Sequence, residues 1–308
     1  MLGIEAEYVM GDKIKELPFG VMGALKFSHQ AQFHPLEFIQ EIAKKLKIYE
    51  QTKVVEVDEY FVITDKYVIV TDNVIFATHY PFFIRPGYYF LRQHQSRSYA
   101  MALQGEGVPE KLEGMYMGID SDALSFRCAD GKLILGGGAH RTGKSGGGFC
   151  VLKEAVKKYY PNANQIACWA AQDCMPHDKI PFIGKASKKH EDWYVTTGFQ
   201  KWGMTSAMVS AMIISDMITG KKNPYEEVFA PQRLLVKSGY KNFFVDAGIS
   251  ILGLIKGVFG KKEVRCTHLG CALNWNEEES SWDCLCHGSR YTKEGEIIDN
   301  PAQKKTKI

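Results

Sequence analysis

The chain has no uninterrupted apolar run of the ~20 residues that a membrane-spanning helix needs. Its longest, Ala247 to Gly260 (AGISILGLIKGVFG), is broken by Lys256, and is expected to form a short helix lying on the body of the protein. A secretory leader is lacking too. Met1 is followed by Leu, Gly, Ile, Glu, Ala and Glu, which has neither the basic start nor the apolar core of such a segment. The expectation is a cytoplasmic protein with no membrane span. Charge of one sign is not in excess either: 38 Lys and Arg stand against 35 Asp and Glu, leaving +3. The lysines are isolated rather than gathered in a stripe, so the electrostatic footprint of a nucleic-acid binder is missing. No internal repeat or low-complexity tract occurs. What remains is 308 residues, 45% apolar and 24% charged, enough for one large globular domain and a small one.

Eight cysteines divide by spacing. Cys128, Cys150, Cys168 and Cys174 are scattered and are expected to be small buried hydrophobes or free thiols. The other four interleave with two histidines in Cys266-Thr267-His268-Leu269-Gly270-Cys271 and Cys284-Leu285-Cys286-His287-Gly288-Ser289. Such a cluster calls for a metal. Structural zinc sites also use Cys and His in two short clusters, but their usual C-x2–4-C spacing differs from C-x-H. In a Rieske two-iron two-sulfur centre one iron takes two thiolates and the other two imidazoles, so each loop presents one Cys and one His. The repeated alternation meets that need and leaves Cys271 and Cys286 over. Gly270 and Gly288 fall where the backbone must turn tightly around a cluster.

These boxes resemble those of the Rieske proteins of quinol-oxidising respiratory and photosynthetic complexes, CTHLGC and CPCHGS, with Leu285 in place of the family's Pro. The resemblance implies that Cys266 and Cys284 bind one iron and His268 and His287 the other. It also implies a disulfide between Cys271 and Cys286. Ser289 and Tyr291 match the positions whose hydroxyls hydrogen-bond a bridging sulfide and a ligand-cysteine sulfur in high-potential members. The potential is therefore expected in the upper part of roughly −150 to +300 mV. The family usually places several strands before the first box. Here Val228 to Lys262 reads as a linker with short helices, which implies a reduced module with a strand around Glu296 to Ile298 and an Asn300-Pro301-Ala302 turn.

The rest of the chain alternates helix and strand signals. Leu36, Phe38, Ile39, Ile42, Ala43 and Leu46 recur with helical spacing, and KVVEV, YFVIT, YVIV and NVIFA read as short strands between charged turns. Leu133 to Leu135 and Trp193 to Thr197 are further strand candidates, and Ser206 to Ile218 is a helix candidate rich in small residues and methionine. Arg97, Arg141 and Lys201 could meet a carboxylate substrate, though ordinary salt partnership is the plainer role.

Several of these stretches, TDNVIFATHYPF, GFQKWGMTSAMVSAMIISDMI, GALKFSHQAQFHP and QDCMPHDKIPFIG, resemble the FAD-dependent amine and amino-acid oxidoreductases typified by glycine and sarcosine oxidases. The likeness is to a bacterial branch that carries a C-terminal Rieske module. It implies FAD contacts at Val54, Ala77, Thr78, Gly198, Gly203, Met204 and Thr205. A helix start at such a turn also points N–H groups and a positive dipole end at an electron-rich ligand. The family opens with a G-x-G-x-x-G nucleotide-binding turn. Gly136-Gly137-Gly138 and Gly146-Gly147-Gly148 do not have that spacing. The chain is accordingly expected to begin more than a hundred residues into the family pattern, as a truncation, a gene fragment or half of a split protein, and to bind FAD weakly or not at all by itself.

The expected architecture is mixed α+β: an oxidoreductase domain over 1–232, a linker over 233–262 and a reduced, mostly β Rieske module over 263–308. The expected function is an FAD-linked oxidoreductase, acting on amines or amino acids, whose 2Fe-2S cluster relays single electrons between flavin and a partner. A small-molecule substrate is expected and no nucleic acid; no catalytic residue is singled out. The alternatives are a non-catalytic Rieske electron carrier and, with less support, a Rieske oxygenase. The latter needs two His and a carboxylate on a mononuclear iron, and His29 and His34 lack a matching acid.

Overall fold

The structure is a computed structural model that describes residues 3–58, 61–120, 123–233, 239–260 and 264–308. The N-terminal part contains β1 (Ala6–Met10), β2 (Gly23–Phe27), α1 (Pro35–Ala43), β3 (Val54–Val57), β4 (Phe61–Thr64), β5 (Val68–Val70) and β6 (Val74–Phe76). The central part contains β7 (Gln93–Gly105), β8 (Tyr116–Met117), β9 (Ser125–Ala129), β10 (Lys132–Arg141), α2 (Phe149–Tyr159), β11 (Ala163–Pro176), β12 (Phe182–Lys185), β13 (Trp193–Thr197), α3 (Gly203–Ile218) and α4 (Glu226–Phe229). Last come α5 (Tyr240–Phe259), β14 (Leu273–Asn276), β15 (Ser281–Cys284), β16 (Arg290–Tyr291) and β17 (Ile297–Asp299).

The long strand β7 sits inside a five-stranded antiparallel sheet of order β11-β7-β10-β9-β8. Its side chains alternate as a half-covered strand requires. On the covered face Tyr99, Met101 and Leu103 join Leu133 and Leu135 of β10 beneath Phe149, Leu152 and Ala155 of α2. The same face continues as Gln93, Gln95 and Arg97, each buried. Gln95 and Arg97 are met by the C-terminal module rather than by a helix, while Gln93 Nε2 donates to Thr197 Oγ1.

A second sheet has the order β12-β13-β6, with β13 and β6 parallel. Every residue of β13 is buried, as expected of a strand covered on both faces. Because the pair is parallel, the segments after Phe76 and after Thr197 emerge at the same end. The C-terminal module is a four-stranded meander, β14-β15-β16-β17.

The expected helix, strand and turn signals are largely met, and the departures have local reasons. The helical pattern near the N-terminus yields α1, while Gly23–Phe27 pairs with Ala6–Met10 as a hairpin. The strand at Leu133 extends to Arg141 because Gly136 and Gly137 keep pairing with Ala100 and Tyr99. The largest departure is α5. In place of a linker with short helices there is a 20-residue helix, long and apolar enough to cross a membrane by length and composition. Its interior glycines do not break it. Gly253 lies where a Cβ would stand 2.5 Å from the Cys286 sulfur, so it permits a close approach. Residues 234–238 and 261–263 of the expected linker lie outside the described residues.

Asp246 fastens α5 to the sheet. Its carboxylate accepts from His94 Nδ1 at 2.7 Å, lies 3.1 Å from His177 Nδ1 and pairs with Arg141. Burial alone would raise this carboxyl, but the bonds from His177 and His94 and the charges of His94 and Arg141 override it and hold it well below the usual carboxylate range. A carboxyl lowered on folding stabilises above its unfolded value, about 3.9, and loses that contribution as pH falls below it. Asp246→Asn should therefore cost about 2 to 3 kcal/mol in urea unfolding at pH 7, the scale of hydrogen bonds to a charged group. The gap between variant and wild type should shrink below about pH 4. An equal gap at pH 7 and pH 3 would refute this account.

Candidate metal centre and cofactor site

Both Cys/His boxes close on themselves. In the first, Cys266 N–H donates to Cys271 C=O at 2.8 Å and Gly270 N–H to Cys266 C=O at 2.9 Å. In the second, Cys284 N–H donates to Ser289 C=O at 2.8 Å and Gly288 N–H to Cys284 C=O at 2.9 Å. Gly270 and Gly288 both take φ of 84°, the left-handed turn anticipated at these positions. The loops face each other across the module core, where Cys266, Cys271, Cys284, Cys286 and Tyr291 are buried together.

The donor set suits the implied cluster. His268 and His287 lie with ring centroids 5.0 Å apart. Burial lowers His268 to about 4, and burial, with the charges of His268 and Arg141, lowers His287 to about 3. Both are thus neutral imidazoles at pH 7, each with a lone pair. His268 Nδ1 and both ring nitrogens of His287 are buried without a protein partner. Nitrogens left so would be costly unless a ligand satisfied them.

Cys266 and Cys284 share a hydrogen bond that favours the Cys266 thiolate. It lowers Cys266 to about 6 against burial, aided by Tyr291, the His268 N–H and Ser289, and raises Cys284. The Tyr291 hydroxyl lies 3.3 Å from Cys266 Sγ and accepts the Thr267 N–H at 3.0 Å. Ser289 Oγ accepts the Ala302 N–H at 3.0 Å. The implied disulfide is not present. Cys271 and Cys286 are free thiols whose sulfurs lie with that of Cys284 within 4.8 Å of one another. They pack and hydrogen-bond rather than bond covalently.

The module docks on the polar end of β7. Gln95 Nε2 donates to His287 C=O at 2.8 Å and Asn300 C=O at 2.9 Å, and Gln172 Nε2 donates to Gly288 C=O at 2.9 Å. Arg141 donates to the Leu285 and Cys286 carbonyls, at 3.0 and 2.9 Å. Arg97 pairs with Glu279, so both arginines considered for a substrate carboxylate are engaged within the chain. The Gly146-Gly147-Gly148 run also serves docking. Glu278 accepts the Phe149 N–H at 2.6 Å, so a carboxylate of the module occupies the start of α2. Phe90 stacks edgewise on both imidazoles, with centroids 6.3 Å from His268 and 5.7 Å from His287.

The residues implied for FAD fall into two groups. Ala77 and Thr78 follow β6, Gly198 follows β13, and Gly203, Met204 and Thr205 open α3, so the parallel pair gathers most of them at one end. A Cβ at Gly203 would meet nothing within 4 Å. Met204 and Thr205 line a cavity of about 560 Å³ with Phe33, His34, Phe38 and Met208. This arrangement suits a flavin lying against an α3 N-terminus. Val54 is apart, at the start of β3 in the β3-β4-β5 sheet. Among the described residues no turn for the pyrophosphate occurs.

Two features escaped sequence reasoning. Half-buried His94 converges with buried His177 and Asp246 from strand, loop and helix, whereas His34 caps α1 by accepting the Glu37 N–H at the rim of the cavity. With Arg141 on its carboxylate, the Asp246 group is a structural ion-pair network. Asp173 on β11 has its carboxyl raised to about 6 by burial, against the charges of Lys201 and Arg97. Its stretch, QDCMPHDKIPFIG, was visible in the sequence, but its burial was not.

Hydroxyls aimed at the cluster loops stabilise added negative charge there. Tyr291→Phe and Ser289→Ala should each lower the reduction potential by about 30 to 60 mV, or 0.7 to 1.4 kcal/mol for one electron. Iron and sulfide analysis should give two of each. Protein-film voltammetry showing an unchanged potential in both variants, or zinc in protein made with iron available, would refute the assignment.

Comparison with known proteins agrees with this geometry. The FAD dependent oxidoreductase family matches residues 1–217, and the Rieske [2Fe-2S] domain matches residues 240–308. YhfW of Bacillus subtilis (strain 168), described as a Rieske 2Fe-2S iron-sulfur protein, is 33% identical over 99% of this chain and 69% of its own length. The cytochrome b6-f complex iron-sulfur subunit 3 of Nostoc sp. (strain PCC 7120) is 34% identical over 31% of this chain and 54% of its own. In fold, the chain is similar to glycine oxidase from Bacillus cereus ATCC 14579, with TM-score 0.59 and 16% identity over 76% of this chain and 70% of that one. It is similarly close to L-proline dehydrogenase from P. horikoshii, with TM-score 0.59 and 19% identity over 75% and 69%. With its boxes arranged as a Rieske centre and its sheets as a glycine-oxidase-like fold, the chain belongs to the FAD-dependent oxidoreductase family, in the form that carries a C-terminal Rieske [2Fe-2S] domain.

Proposed function

We propose that this oxidoreductase passes single electrons between a flavin, held at the ends of β6 and β13, and the Rieske cluster, which hands them to or takes them from a partner. The supporting observation is a short polar connection between the two sites. Asn300 Nδ2 donates to the Thr78 and Tyr80 carbonyls, at 3.0 and 2.9 Å. Gln95 Nε2 in turn bridges the Asn300 and His287 carbonyls. One side of the connection is thus a residue implied for FAD and the other an implied iron ligand.

A bound flavin supplies two-electron oxidation of a substrate and can release electrons one at a time to a one-electron cluster. The chain's own residues set the route. Buried Gln95 holds the His287 backbone, Gln172 holds Gln95 Oε1 at 2.7 Å, and Phe90 lies edge-on to both imidazoles. The glycine-oxidase-like fold supports a small amine or amino acid as the substrate class, and cytoplasmic residence remains part of the proposal.

In cluster-loaded protein reconstituted with FAD, photoreduction of the flavin should be followed by bleaching of the cluster. Gln95→Leu should slow that bleaching by about tenfold, the equivalent of about 1.4 kcal/mol, without changing flavin reduction. A flavin that stays reduced beside an oxidised cluster in the wild type would refute the relay. So would equal rates in the two proteins.

A further inference from the structure

The outward side of α5 is an apolar stripe that nothing in the described structure covers. Phe244, Ile251, Leu252, Ile255, Val258 and Phe259 are exposed, Phe244 by 69% and Phe259 by 80%, and they recur at the spacing of one helix side. The inward side is tied to the cluster loops. Asp246 takes the His94, His177 and Arg141 network, Gly253 C=O accepts the Ala272 N–H at 3.1 Å, and a Cβ at Gly257 would lie 2.1 Å from Gly270 C=O. Spanning a bilayer would strip these contacts and carry Asp246 into hydrocarbon, which is costly. A helix so anchored can lie on a membrane but not cross it.

Charge says what the stripe fits. Asp246, the only acid between Tyr240 and Phe259, faces inward, while Lys241 and Lys256 are exposed near the two ends of the helix. Lys144 and Lys179, exposed and without an ion pair among the described residues, line a cavity of about 420 Å³ walled on one side by Val245 and Ile249 of α5. An apolar stripe flanked by cations complements the acyl boundary and headgroups of anionic lipid. The core of a protein interface is instead depleted of lysine.

We propose that α5 lies in the surface of an anionic lipid bilayer, with Phe244, Leu252, Ile255 and Phe259 in the acyl boundary and the lysines at the headgroups. The cluster loops, packed on the opposite side of the same helix, are then held close to the membrane. The seating does not depend on the flavin relay.

Sedimentation of the cluster-loaded full chain with vesicles tests it. The protein should pellet with phosphatidylcholine vesicles containing phosphatidylglycerol, less so with phosphatidylcholine alone or in high salt, and should be released by alkaline carbonate. Leu252→Glu with Ile255→Glu should stay in the supernatant while keeping the wild-type cluster spectrum. Lys144→Glu with Lys179→Glu should weaken binding to the anionic vesicles by about tenfold or more. Wild type remaining in the supernatant with anionic vesicles, or pelleting of the stripe variant as well as wild type, would overturn the proposal. So would resistance to carbonate. A wild-type dimer by light scattering that the stripe variant reduces to a monomer would assign the face to a second copy and overturn it too.

Discussion

The Arg141 guanidinium lies where the end of β10, the middle of α5 and the second cluster loop meet, and the placement of the metal centre depends on it. It donates to the Leu285 and Cys286 carbonyls and pairs with Asp246. A planar fork with five donors can hold three acceptors in fixed directions, which a lysine at the end of a flexible stem cannot do. The loop that carries Cys284 and His287 is thereby oriented from outside its own module. Because His94 and His177 share Asp246, the same point fixes the helix, the sheet edge and the loop together.

Around this point the domain contact is built from polar groups. Arg97 pairs with Glu279, and Arg290 with Asp283, Glu279 and Asp299; the two arginines and Asp283 are buried, Glu279 is mostly covered and Asp299 is more open. Burying such a network brings little net stability, because desolvation offsets most of the attraction. Its effect is directional: an ion pair formed in one register is lost in others. Apolar packing holds β7 against α2, while charge and amide pairing decide where along β7 the module sits.

Legibility followed the range over which each constraint acts. Iron ligation must be met within a few residues, so the two boxes declared themselves by spacing, and Gly270 and Gly288 by the turns beside them. Strands such as Trp193–Thr197 were legible because burial on both faces leaves a continuous apolar and β-branched run. His94 and Asp246, 152 positions apart, carry no local pattern, and only tertiary folding brings them together. The length of α5 was hidden because Lys241, Asp246 and Lys256 divide its apolar residues into shorter runs. The Gly146–Gly148 run was legible only as something other than a nucleotide turn, since its partner, Glu278, lies in another domain.

The two imidazoles are placed unequally, and that gives the centre a direction. His287 is almost fully buried, with Gln95 on its carbonyl and Phe90 against its ring, whereas His268 is only half-buried. Removing water from a charged centre strengthens every dipole aimed at it, so the Gln95, Gln172 and Arg141 bonds to the second loop act under lower screening than bonds on the His268 side. Among the described residues the first loop receives no such bond from the sheet; it is held by Thr267 and Tyr291 within the module and by Gly253 of α5. One loop is thus coupled to the oxidoreductase half and the other to the helix and solvent. That asymmetry is what the proposed relay requires, with one loop facing the flavin half of its own chain and the other left open to another molecule.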